Sequence, residues 1–357
     1  MNTTTLRPDM SVHEILLYAT LAFIIGLIFT KPFVSFLHKY KLGKQLRQTA
    51  VDGTSASVFL EHHAHKAGTP TMGGLLMCGS IILTVLISRV LSYEGLVGSS
   101  ILQRGQVYVP LAMLIVYGLV GAVDDLSNIR GLGKTKGLDA LPKLIFLLVA
   151  TGLAAWWFTV RLEYQSLYIP FGQYLGLSDN NLYIGLWYIP LFFFVTIGTA
   201  NAVNVTDGLD GLAGGLLLIA FGAFGLMAFM SDFTVLAGFC AVIVGSIAAF
   251  LWFNVPPALF FMGDVGALAL GGTLAVMAFM LGKVLILPLI GFIFVLEMLS
   301  VIIQLTSKRF LKRKVFKSAP FHHHLQAIGW PESKITMRLW IIGAFAGFLG
   351  VIVGIYG

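Results

Sequence analysis

Three stretches of this 357-residue sequence set carboxylates against long apolar runs. Residues 201–215 read NAVNVTDGLDGLAGG, with Asp207 and Asp210 beside glycines and Asn201 and Asn204 on the approach. Asp124 and Asp125 are adjacent at the end of another run, and Asp264 follows Gly263 just before a third. A charge at a bilayer edge is costly unless it is paired, hydrated or metal-bound, so acids there are functional candidates by default. Mg²⁺ favours carboxylate oxygens completed by water and substrate phosphates, which makes Asp264 a candidate ligand. The competing reading of Asp264 is a helix N-cap. Two adjacent carboxylates that repel one another suit a proton acceptor, and hydrated boundary acids are the plain alternative.

Other polar groups fit phosphate. Residues 65–74 read HKAGTPTMGG. Lys66 supplies a point charge, Thr71 a hydroxyl, and the glycines and a helix start supply N–H groups. A Thr-capped helix with a solvated Lys explains the same residues. Lys134, Lys136 and Lys143 follow the Asp124–Asp125 pair and are placed to meet an anion. Phe261, in FNVPPALFFMGDVG (residues 253–266), offers a ring that could stack on a flat base. His322, His323 and His324 are consecutive, so they cannot all face one way; one or two are available to phosphate.

The elements that must carry these groups are transmembrane helices. The chain is 57% hydrophobic and 11% charged, where a soluble domain is about a quarter charged. That composition cannot cover a water-facing surface. The long unbroken runs exclude a β-barrel, whose strands alternate apolar and polar residues. Runs of about 20 apolar residues predict ten spans: 15–37, 72–91, 107–123, 144–160, 186–202, 212–230, 235–253, 267–280, 284–305 and 335–355. The fold class is therefore an all-α polytopic membrane protein, read as one domain over residues 1–357.

Lys and Arg concentrate in the loops after odd-numbered spans, from Lys39 to Lys66, Arg130 to Lys143 and Lys308 to Lys317. The other side holds Arg7, Arg89, Arg104, Arg161 and Lys283. The positive-inside rule makes the odd loops cytoplasmic and both termini periplasmic. Every acid named above then falls on the cytoplasmic face. The outward segment 161–185 predicts a small hairpin with tyrosines at the membrane interface. The basic stretch 308–317 suits an interfacial helix near anionic lipid, or a simple positive-inside anchor. Cys78 and Cys240 lie inside apolar runs and read as packing residues.

The ordered set of KAGTPTMGG, Asp124–Asp125, NAVNVTDGLDGLAGG, FNVPPALFFMGDVG and APFHHH followed by GWPESKITMRLW resembles the polyprenyl-phosphate N-acetylhexosamine-1-phosphate transferase superfamily. APFHHH favours its muramoyl-pentapeptide branch over the N-acetylglucosamine-1-phosphate relatives, which are the alternative. The resemblance implies ten helices and a cytoplasmic active site. It implies transfer of phospho-MurNAc-pentapeptide from UDP to undecaprenyl phosphate, giving lipid I and UMP, with Mg²⁺ as cofactor. Asp264 would be the Mg²⁺ ligand. Asp124, Asp125, Asp207 and His323 would be catalytic. Lys66, Thr71, Asn204, Asp210, Asn254, Phe261, Gly263 and His324 would bind substrate. The partners would be these two substrates and the bilayer of the bacterial inner membrane, with no nucleic acid, and with homodimers as some members form. One departure is Asn128, where the family commonly has Lys. A secondary transporter is the rival from another class, but its acids belong near the bilayer midplane on broken helices.

Overall fold

A computed structural model describes residues 9–43, 68–131, 140–177 and 180–357. Lys66, Lys134 and Lys136 lie outside the described residues. The apolar runs become helices α1 (Val12–Lys39), α2 (Gly73–Tyr93), α3 (Tyr108–Ile129) and α4 (Ala140–Trp156), the last extended by a π-helical turn at Trp157–Arg161. After a short hairpin come α5 (Tyr188–Thr206), α6 (Leu212–Met230), α7 (Thr234–Asn254) and α8 (Gly263–Met280). The chain ends with α9 (Leu287–Ile290), α10 (Phe292–Thr306), α11 (Phe321–Ala327) and α12 (Glu332–Tyr356).

Among the described residues nine helices are long and apolar enough to cross a membrane, or ten with one bent pair taken as a span. Large apolar side chains such as Leu16, Ile28, Phe194 and Phe345 point outward. In water that surface would drive aggregation; in lipid it is the solvent-facing side, while each helix satisfies its own backbone. The chain is a multi-pass membrane protein.

Helix α8 is the centre. Every one of its residues except Asp264 is buried. It is walled by α2, α3, α5 and α6, while α1 packs on α7 and α12 on α6. Small residues let these backbones approach closely. A Cβ on Gly121 of α3 would collide with the Asp264 carbonyl, so α3 lies directly on the first turn of α8. At the opposite end of α8, Phe279 packs among Phe158, Tyr188 and Phe192. The polar end and the aromatic end of one helix thus face opposite sides of the bundle.

Two expectations need correction. The run 284–305 is not one straight span: Val284–Ile290 and Phe292–Leu311 meet at 82°. Gly291 sits at the break with non-helical angles, so the α10 hydrogen-bond ladder restarts there. The basic stretch 308–317 is not a helix throughout. A π-helical turn covers Ser307–Leu311, Lys312 turns left-handed at φ 54°, and Gln304 then holds the returning strand by accepting from Val315 and Phe316 N–H and donating to the Phe316 carbonyl. The short span 267–280 extends back to Gly263; its start escaped the apolar pattern because Asp264 lies in its first turn. The outward hairpin is present, with β1 (Ser166–Tyr168) antiparallel to β2 (Asn181–Tyr183).

Candidate active site

The polar end of α8 collects side chains from four helices. Asp264 follows Gly263 and lies inside the first turn; the N-cap position itself is Met262, so the capping reading does not hold. One turn beyond Gly121, α3 brings Asp124 and Asp125 alongside. Lys143 of α4 bridges the carboxylates: its Nζ is 2.9 Å from Asp124 Oδ2 and 2.5 Å from Asp264 Oδ2. Asn204, in the last turn of α5, donates to Asp264 Oδ1 at 2.8 Å. Both oxygens of Asp264 are therefore engaged, and its rotamer is fixed from two sides.

Asp125 has a different position from its neighbour. Its Oδ2 accepts from Val265 N–H at 3.2 Å, anchoring α3 to the start of α8 where the helix dipole favours an anion. Gly263 makes this possible. It adopts φ +72°, and a Cβ there would strike the Asp125 carboxylate. On the same rim Thr71 Oγ1 is buried without a hydrogen-bond partner, close to Gly263.

Asp207 is the C-cap of α5, one turn after Asn204. Asp210 and Asn254 belong to a neighbouring cross-link. Asp210 Oδ2 accepts from Ala258 N–H at 3.0 Å. Asn254 uses both ends of its amide on backbone, accepting from Gly211 N–H and donating to the Phe260 carbonyl. The backbone of Phe261 pairs with Pro70 and Gly73, which leaves its ring half-buried at the rim.

The histidine segment divides as its consecutive spacing requires. His323 Nδ1 meets Gln326 Oε1 at 2.7 Å, and His324 Nδ1 accepts from Lys317 N–H at 3.2 Å. The ring that reaches the acid-bearing loops is that of His322, which is fully buried and packs its Nε2 against Gly208, next to Asp207. Glu297 of α10, also fully buried, accepts from His322 N–H and meets Nδ1 at 3.0 Å. Lys143 and His322 were named from sequence only as groups that could meet an anion or phosphate, and Glu297 was not named. An acid inside an apolar span is a functional flag in itself, and Glu297 carried that signal.

The donor set suits a hard divalent ion. Oxygens of Asp124 and Asp264 already share one cation, the Lys143 ammonium, and Thr71 offers an orphaned hydroxyl on the same rim. Among the described residues no group of three or more His, Cys, Asp or Glu is arranged to hold a metal alone. A cation bound here would complete its shell with water and substrate oxygens, as Mg²⁺ commonly does.

Residues 107–282 match the family model described as Glycosyl transferase family 4, and residues 66–78 match Phospho-N-acetylmuramoyl-pentapeptide-transferase signature 1. The chain is 38% identical to a phospho-N-acetylmuramoyl-pentapeptide-transferase of Chloroflexus aurantiacus over 94% of this chain and 88% of that protein. It is 36% identical to proteins of the same name from Bacillus cytotoxicus, covering 97% of this chain and all of that one, and from Oceanobacillus iheyensis, covering 96% and 98%. The chain belongs to the phospho-N-acetylmuramoyl-pentapeptide-transferase family. The three acidic corners of this family member are thus drawn to one end of a bundle whose central helix presents a single charged residue. The geometry favours a transferase over the transporter alternative, because Asp124, Asp264 and Asn204 all lie at helix ends rather than at mid-helix.

Proposed function

We propose that this protein transfers phospho-MurNAc-pentapeptide from its UDP carrier to undecaprenyl phosphate, releasing UMP and forming lipid I for peptidoglycan synthesis. One observation carries the reading: the carboxylates of Asp124 and Asp264, from separate connections, converge on one cation position. Phosphoryl transfer needs that more than anything else, since its catalysis is mostly positioning and charge stabilisation. The excess of Lys and Arg in the loops at this end supports a cytoplasmic orientation, the side from which a nucleotide substrate would reach it, and the reading assigns the protein to the bacterial inner membrane.

Asp264 is the residue that would hold Mg²⁺, with water and substrate oxygens completing its shell. A metal held there would supply electrostatic stabilisation of the charge that develops on the departing UMP. Asn204 keeps Asp264 in the orientation required. Asp124 is the assigned proton acceptor for the attacking lipid phosphate, and Asp125 keeps the α3 end seated on α8. Lys143 stands between the two acids with three N–H donors, ready to turn from carboxylate to phosphate oxygen. Asp210 and Phe261 are assigned to the uridine side. Asp207 and Thr71, with Lys66 and His323 and His324, are assigned to the phosphates and sugar.

A release assay for UMP tests this reading. With undecaprenyl phosphate present, UDP-MurNAc-pentapeptide should give lipid-dependent UMP and UDP-GlcNAc should give little. Equal or greater turnover of UDP-GlcNAc would move the protein to the other branch of the superfamily.

A further inference from the structure

The turn Asp210–Gly211 is held in an unusual way. Each of its four backbone polar groups meets a side chain from a distant part of the chain. Asp210 N–H donates to Glu332 Oε1 at 2.6 Å, and the Asp210 carbonyl accepts from Thr336 Oγ1 at 3.2 Å. Gly211 N–H donates to Asn254 Oδ1 at 3.0 Å, and the Gly211 carbonyl accepts from Trp340 Nε1 at 3.2 Å. Three of the four partners are on α12. Glu332, Thr336 and Trp340 are spaced by four, so they line one face of its first turns. The indole of Trp340 also packs against Gly215, at the start of α6.

The turn closes on its own backbone, with Leu212 N–H donating to the Leu209 carbonyl at 3.2 Å and Gly211 supplying the left-handed φ of +76°, and the side chains add to that. Its place is tied in addition to α12, a helix that is otherwise a plain membrane span with lipid-facing residues such as Ile341 and Phe345. The side chain of Asp210 leaves the backbone between two of these anchors, so they set where it starts, while Ala258 N–H holds its carboxylate. The effect on Asp210 acts through the backbone: Glu332 and Thr336 bond the backbone of Asp210 and Trp340 that of Gly211.

We propose that Glu332, Thr336 and Trp340 are positioning residues that set nucleotide affinity by fixing the Asp210–Gly211 backbone. This rests on the assignment of Asp210 to the uridine side. A purely structural role would lower stability alone; a positioning role moves the nucleotide term and spares the lipid term.

The test compares purified wild type with Glu332→Ala, Glu332→Gln and Trp340→Phe. Four quantities are measured: UMP binding by calorimetry, KM for UDP-MurNAc-pentapeptide, KM for undecaprenyl phosphate, and the thermal midpoint. Losing a hydrogen bond to a carboxylate is expected to weaken UMP binding about tenfold in Glu332→Ala and to raise the KM of the UDP substrate similarly. The KM for undecaprenyl phosphate should stay near wild type. Glu332→Gln should recover most of the loss, because its amide oxygen accepts the same N–H. Unchanged UMP affinity in Glu332→Ala, equal rises in both KM values, or a Gln variant as weak as Ala would each overturn the proposal. If Glu332→Ala does not fold, Trp340→Phe, which removes one donor, must show the same selective loss or the proposal fails. A wild-type protein that binds neither UMP nor UDP-MurNAc-pentapeptide would instead overturn the functional reading beneath it.

Discussion

Lys143 Nζ lies 2.5 Å from Asp264 Oδ2, across 121 positions of sequence. The same ammonium reaches Asp124 at 2.9 Å, so one cation serves two carboxylates. Removing it leaves like charges facing each other with no counter-ion in a confined site. Lys143→Ala should therefore lower the melting midpoint in metal-free buffer. Added Mg²⁺ should raise that midpoint further than in wild type, since a ligand of the native state stabilises by mass action. Thermal unfolding with and without Mg²⁺ reads this directly. Equal Mg²⁺-induced shifts in both proteins would separate Lys143 from the cation position.

Close approach of α3 to α8 depends on Gly121. Its missing Cβ is where the Asp264 carbonyl sits. Gly121→Ala must push the helices apart or strain them, at a cost of about 1–3 kcal/mol. The displacement acts on Asp124, one turn further along α3. Turnover should fall by more than the loss of folded protein explains. An Ala variant with wild-type kcat would mean that the helix contact does not position Asp124.

Glu297 and His322 are joined inside the protein, with neither side chain exposed to solvent. Truncating one member leaves the other's buried polar atoms without a partner. Glu297→Ala should cost about 3 kcal/mol of stability. Glu297→Gln, which keeps an acceptor for the His322 N–H, should cost less. Thermal or denaturant unfolding in detergent orders the two variants. An Ala variant as stable as wild type would remove this pair from the account of how α10 and α11 are tied together.

The acids of the site were legible because their context is so apolar. Asp124, Asp207 and Asp264 each interrupt or end a hydrophobic run, and a charge there must have a reason. The spans were legible from length alone. The direction of a helix was not: hydropathy registers Gly291 as one more permitted residue, and the 82° bend becomes visible only when α10 packs in space. Lys143 was visible as a basic residue after the acidic pair, but its exact partners depend on how α4 returns. The spacing of Glu332, Thr336 and Trp340 marks one helix face, yet nothing in that pattern names Asp210 and Gly211 as what the face touches. His322 hid among three histidines of equal type. Burial singles it out, and burial is a tertiary property.

Asp264→Asn tests whether acids from separate connections form one metal-assisted transfer site. Asn preserves the size of the side chain and an oxygen for Asn204, but removes the charge that would hold the ion. UMP release should be followed with saturating UDP-MurNAc-pentapeptide and undecaprenyl phosphate while Mg²⁺ is titrated after chelation. Wild type should be silent with chelator and recover with Mg²⁺. The Asn variant, folded by circular dichroism, should stay about a hundredfold or more below it at every Mg²⁺ concentration. Full Mg²⁺-dependent turnover in Asp264→Asn would contradict the account.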